Sequence, residues 1–292
     1  MKINDYIIAN RKIRLLGDVA GVVERHISSF DNFRLSDSTS DKVLIEVAAG
    51  DVNMEADVVP LTTFDFDEGH AVCSFFLSGE SYVLKIEGGE SRVMFVCDGC
   101  VKHAVVNISS NITSREIAFL RFGLWFAVGM AMVLDGASAV HSSTIVWHDK
   151  AVLFLGESGT GKSTHTRLWL ENIAGAELLN DDSPFIFEGE DGIKVCGSPW
   201  SGKTSCYKNK CYPLAAVVRL SQAPHNKMCQ LGKLQAIGAL LPSLPPAFVY
   251  DKELEDNLLQ ILSKVLQRTP VYHLECLPNA DAALLSHKTI FW

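Results

Sequence analysis

A chain of 292 residues, 48% hydrophobic and 21% charged, has room for one large or two ordinary domains around a sizeable core. A formal net charge of −8 with no basic run argues against a polyanion, so no nucleic-acid partner is expected. Residues 1–6 carry no secretory apolar core, no membrane partner is expected, and the chain reads as cytoplasmic, its eight cysteines reduced and mostly buried.

Residues 1–110 are strand-rich. The runs 43–48, 71–77, 82–86, 93–96 and 101–108 are β-branched or aromatic and are separated by Gly, Asp, Ser and Glu clusters. Hairpin-like spacing predicts an antiparallel sheet rather than a βαβ unit, with nothing catalytic in it. Cys97-Asp98-Gly99-Cys100, with His103 beyond, resembles half of a metal site. Asp98-Gly99 between apolar runs also predicts a two-residue hairpin turn, and no second Cys-x-x-Cys occurs. The hairpin is the simpler reading.

Thr113 followed by Glu116 forms a capping box and starts a helix that runs through an uncharged stretch, 122–134, to a stop at Gly136. That stretch would be about 20 Å long as a helix, short of a hydrocarbon core of about 30 Å. It reads as a buried helix joining two halves. The predicted division is a strand-rich part (1–112), a connecting helix (113–136) and an α/β part (137–292).

From about Ala139 short apolar strands alternate with helices, as in a nucleotide-binding core. A strand over 140–147 and a tight turn over 148–150 lead to the apolar strand 151–155. Next comes Gly156-Glu157-Ser158-Gly159-Thr160-Gly161-Lys162-Ser163, which fits the Walker A pattern at every fixed position, followed by Thr164. Glycines allow φ > 0, so the backbone N–H groups can turn inward around an anion, and the next helix points its positive end there. Residues 156–164 are thus the candidate triphosphate site. Lys162 can reach the β- and γ-phosphates, and the Ser163 hydroxyl can ligate Mg²⁺.

Asn180-Asp181-Asp182 ends a predicted strand over 176–182. Beside a triphosphate, one acid can help hold Mg²⁺ while the other accepts a proton; without one, the pair is a solvated turn. His141, His165 and Arg167 are weaker candidates, and Arg167 can equally pair with Glu171. Trp200 and Lys203, in a turn-rich loop over 197–203, either cover a ligand or are merely solvated. Further strands are predicted at 184–187, 193–196, 214–220 and 271–276, and helices at 232–240, 252–267 and 280–287.

The loop Gly-Glu-Ser-Gly-Thr-Gly-Lys-Ser-Thr, the strand-ending Asn-Asp-Asp and a preceding His resemble the HPr kinase/phosphorylase catalytic domain. That domain shares its core with phosphoenolpyruvate carboxykinases, whose loop also reads Ser-Gly-Thr-Gly-Lys. The resemblance covers about 137–290. It implies a P-loop core, ATP and Mg²⁺ as cofactors, a homo-oligomer, and catalytic roles for Asp182, Lys162 and His141. Asp182 would be the proton acceptor, Ser163, Asp181 and Asp182 the metal site. The family's Leu-Glu-Ile-Arg-Gly-Leu-Gly-type segment is replaced by Cys-Gly-Ser-Pro-Trp-Ser-Gly-Lys, which removes the basis for phosphorolysis or for HPr as substrate. The expected activity is γ-phosphate transfer to a hydroxyl of a protein or small molecule. The alternatives are a nucleotide-binding regulatory protein with little turnover and a decarboxylating carboxykinase.

Overall fold

The computed structural model describes residues 1–36, 42–55, 57–66, 69–202 and 204–292. The chain is mixed α/β with two sheets and forms two compact units. The first is Met1–Asp135 with Ala247–Glu255, the second Gly136–Pro246 with Asp256–Trp292.

In the first unit, β1 (Ile3–Ile8) and β2 (Arg11–Leu16) form a hairpin whose turn residues, Ala9 and Asn10, both have positive φ. The helix α1 (Gly17–His26) follows, then β3 (Val43–Ala49), β4 (Thr62–Phe66), β5 (Ala71–Ser78), β6 (Ser81–Gly88), β7 (Ser91–Cys97) and β8 (His103–Val106). They make one eight-stranded sheet in the order β1-β2-β3-β8-β7-β6-β5-β4. The expectation of an antiparallel sheet without a βαβ unit is corrected here. β2 and β3 are parallel and connected through α1, and β3 and β8 are parallel as well. The signal was hidden because Val19, Val22 and Val23 are poor helix formers; burial of that face decides the conformation.

β7 and β8 pair antiparallel, but five residues (98–102) connect them rather than a two-residue turn. The Asp98 carboxylate accepts from the Lys102 N–H at 2.7 Å and lies 2.7 Å from His103 Nδ1. Cys97 turns into the core, where burial pushes its thiol up to about 12, while Cys100 is exposed.

The helix α2 (Ser114–Leu134) has the predicted capping box: Thr113 Oγ1 accepts from Glu116 N–H, and the Glu116 carboxylate accepts from Thr113 N–H. It belongs to the first unit and packs on β3, β6 and β7. Phe126 meets Phe75 and Phe248 at 4.9 and 5.0 Å between ring centres. Among the described residues it is the one helix long and apolar enough to cross a membrane, and 67% of its apolar window is buried.

The second unit contains β9 (Ala137–Ala139), β10 (Ser142–Trp147), β11 (Lys150–Leu155), α3 (Lys162–Asn172), β12 (Glu177–Asp182), β13 (Phe185–Gly189) and β14 (Gly192–Cys196). There follow β15 (Cys211–Gln222), β16 (Lys227–Gln230), α4 (Lys233–Leu240), α5 (Lys252–Arg268, its residues from Asp256 on), β17 (Val271–Cys276) and α6 (Ala280–Phe291). The sheet order is β12-β10-β11-β15-β14-β13-β9, with β17 on β15 and β16 on β17. β11, β15 and β17 are parallel. β10 lies antiparallel between β11 and β12, so those two run the same way and their carboxyl ends emerge on one edge. Phe154, Trp169, Val218 and Leu274 fill the core between this sheet and its helices.

Two expectations change in this unit. His141 precedes β10 instead of lying within a strand, and its N–H donates to Ser243 O at 2.7 Å. Cys196 and Cys211 are disulfide-bonded rather than reduced, because antiparallel pairing of β14 with β15 sets them directly opposite, 4.0 Å apart at Cα.

Candidate functional site

β11 ends at Leu155, and the chain turns through 156–161 into α3. Gly159 and Gly161 take φ of +80° and +104°, which only glycine adopts without strain. Gly161 caps the helix with no side-chain bond, and no acid lies in the first turn. The positive end of α3 is therefore left to an outside anion. Thr160 closes the loop by donating from Oγ1 to Glu157 O at 2.8 Å, and a Cβ at Gly156 would press on its side chain at 3.0 Å.

Lys162 Nζ donates to Gly156 O at 2.8 Å, to Glu157 O at 3.2 Å and to His141 Nε2 at 3.0 Å. An ammonium has no lone pair, so the imidazole accepts at Nε2 and holds its proton on Nδ1. That nitrogen lies 3.3 Å from Asp182 Oδ1. Burial lowers the Lys162 pKa most strongly and Arg219 adds to the drop, against the opposing pull of Asp182 and Asp181.

Ser163 Oγ donates to Asp181 Oδ1 at 3.0 Å. The other carboxylate oxygen of Asp181 is buried and has no hydrogen-bond partner among the described residues. An orphaned anionic oxygen next to a hydroxyl is a donor set that a hard cation fits. No group of three or more His, Cys, Asp or Glu among the described residues could hold a metal by itself. Mg²⁺ at this position would take its remaining ligands from water and phosphate oxygens.

The acids are held from behind. Asn180 is fully buried; its amide donates to Trp200 O at 3.0 Å, and its Oδ1 accepts from the N–H groups of Asp182 and Ser183. Gly202 N–H donates to Asp181 O at 2.9 Å, and a Cβ on Gly202 would sit 2.8 Å from that same oxygen. The strand end is thus clamped by the following loop.

The structure brings together Gly156, Glu157, Ser158, Gly159, Thr160, Gly161, Lys162, Ser163 and Thr164 with His141, Asp181 and Asp182. Other candidates lie outside this cluster. Trp200 is buried against Phe185, 6.2 Å between ring centres. His165 is buried beside Trp169 and Ser286, where desolvation depresses its pKa to about 4. Arg167 faces solvent with Glu171 at 3.8 Å. Lys203 lies outside the described residues. Sequence reasoning missed Arg219, opposite Leu155 on β15, whose guanidinium reaches Glu157 at 3.5 Å. It missed Gln222 as well, which donates to Gly159 O at 3.3 Å. Only strand register places these two at the loop. No protein-family model matches the chain, and no curated protein matches it.

Proposed function

We propose that the chain is an ATP- and Mg²⁺-dependent phosphotransferase with a P-loop core of the HPr kinase and phosphoenolpyruvate carboxykinase type. It would move the γ-phosphoryl group to a hydroxyl of a protein or small-molecule acceptor. The observation that carries the proposal is the convergence of Lys162, Ser163, Asp181, Asp182 and His141 where the glycine loop meets α3.

In this reading the loop N–H groups and Lys162 bind the β- and γ-phosphates. Ser163 and Asp181 would hold Mg²⁺, which when bound neutralises charge on the β- and γ-oxygens. Asp182 orients the acceptor hydroxyl and takes its proton as that oxygen bonds to phosphorus. The bond from the γ-phosphorus to the bridging oxygen breaks, and the electron pair leaves on the diphosphate, next to Lys162. His141 positions Asp182 through Nδ1–H and steadies Lys162 through Nε2.

Purified protein incubated with γ-labelled ATP and a cell extract tests this. Lys162→Ala is expected to lower transfer by about three orders of magnitude. Asp182→Asn should keep ATP affinity and lose transfer. Normal transfer by Asp182→Asn would remove the proposed base. Tight ATP binding with no labelled acceptor would favour the regulatory alternative.

A further inference from the structure

Beside the loop, on the face of α3, lies a cleft of about 540 Å³ within the range typical of small-ligand sites. Gly159, Gly161 and Thr164 form one wall. His165 and Leu168 of α3, Leu220 and Cys276 near the ends of β15 and β17, and Ala223 and Pro278 just beyond those strands form the others. We infer that this cleft receives the nucleoside of the triphosphate, with Cys276 in its wall, an inference that rests on the nucleotide reading above.

Three observations carry it. The reacting end of the site is defined by Lys162 Nζ, which contacts His141, itself beside Asp182. Thr164, two residues further into the first turn, faces the cleft, so a phosphate chain laid along the helix N-terminus leads out of the loop and into it. Leu168, Leu220, Ala223, Leu277 and Pro278 give the lining apolar surface that suits the faces of a flat heterocycle, and Gln222 in the same lining offers an amide for a base edge. A second cleft of about 410 Å³, which shares Gly159, Thr160, Leu220 and Gln222 with the first, is lined in addition by Arg219, Ser221 and His273. Its polar surface matches charged or hydroxylated groups better than a ring face.

Cys276 is half-buried, and burial raises its thiol pKa, so alkylation with iodoacetamide at about pH 9 gives a measurable rate. Exposed Cys100 and Cys229 are internal references. Rates are followed for each cysteine by mass spectrometry, without ligand, with Mg-ATP and with Mg-tripolyphosphate, which has the phosphates but no nucleoside. Mg-ATP should slow Cys276 by about tenfold or more, with tripolyphosphate having little effect. Ala223→Trp, which fills the cleft from its wall, should weaken ATP by about tenfold and spare tripolyphosphate. Unchanged Cys276 labelling at saturating ATP, where binding is measured directly and lost in Lys162→Ala, would overturn the cleft and leave the nucleotide reading standing. Equal protection by tripolyphosphate would overturn it too. Absence of any ATP binding would overturn both.

Discussion

Asn180 shows how one side chain can set a site without touching a ligand. Its buried amide joins the ends of β12 and the 198–200 loop through both its donor and its acceptor. Asn180→Ala would strand two backbone N–H groups and at least one carbonyl in the interior. We expect a loss of about 2–3 kcal/mol in urea unfolding, since buried unsatisfied groups carry their full desolvation cost. Transfer should fall in parallel because the acids lose their register; unchanged stability would show that water replaces the clamp. Lys162, Ser163 and the two acids were legible in the sequence because loop spacing and strand-end position are local properties. Arg219 was not, since its approach to Glu157 depends on the pairing of β11 with a strand more than sixty residues away.

Among the elements, α2 illustrates packing overriding propensity. Gly123 sits in mid-helix, where alanine would ordinarily be better by about 1 kcal/mol. A Cβ there would fall 2.0 Å from the Phe95 ring, well inside contact distance. Gly123→Ala should therefore destabilise by about 1–3 kcal/mol, seen as a lower midpoint in thermal melting. A raised midpoint would mean that Phe95 moves aside freely. The helix itself was readable from its capping box and apolar run. The connection from β2 through α1 to β3 was not, because a valine-rich ten-residue segment is ambiguous until the sheet beneath it exists.

For the molecule as a whole, stability should respond to acid and to reductant. Asp5 accepts from Arg14 at 2.8 and 3.0 Å and pairs with Lys12 at 2.9 Å. The hydrogen bond from Arg14 is the largest cause of a pKa below the ordinary carboxylate value, with burial opposing it. A folded-state pKa below the unfolded one gives stability that is complete above the ordinary value. That stability is lost as pH falls through the lower folded value. The gap in urea midpoint between wild type and Asp5→Asn should accordingly shrink as pH drops below about 4. A gap independent of pH would remove the ion pair as its cause. In a digest made without reductant, peptides holding Cys196 and Cys211 should migrate as one linked species. Separate peptides would restore the reduced state that composition suggests.

The sequence by itself determined the glycine loop, its lysine and serine, the paired acids at a strand end, the capped apolar helix and most of the strands. These depend on spacing within a few residues, which backbone geometry converts directly into local structure. Tertiary structure alone decided that β2, β3 and β8 run parallel, that Cys196 meets Cys211, that Trp200 is core, and that Arg219 and Gln222 border the loop. Each of those joins residues distant in the chain, and such contacts exist only once strand order and register are set.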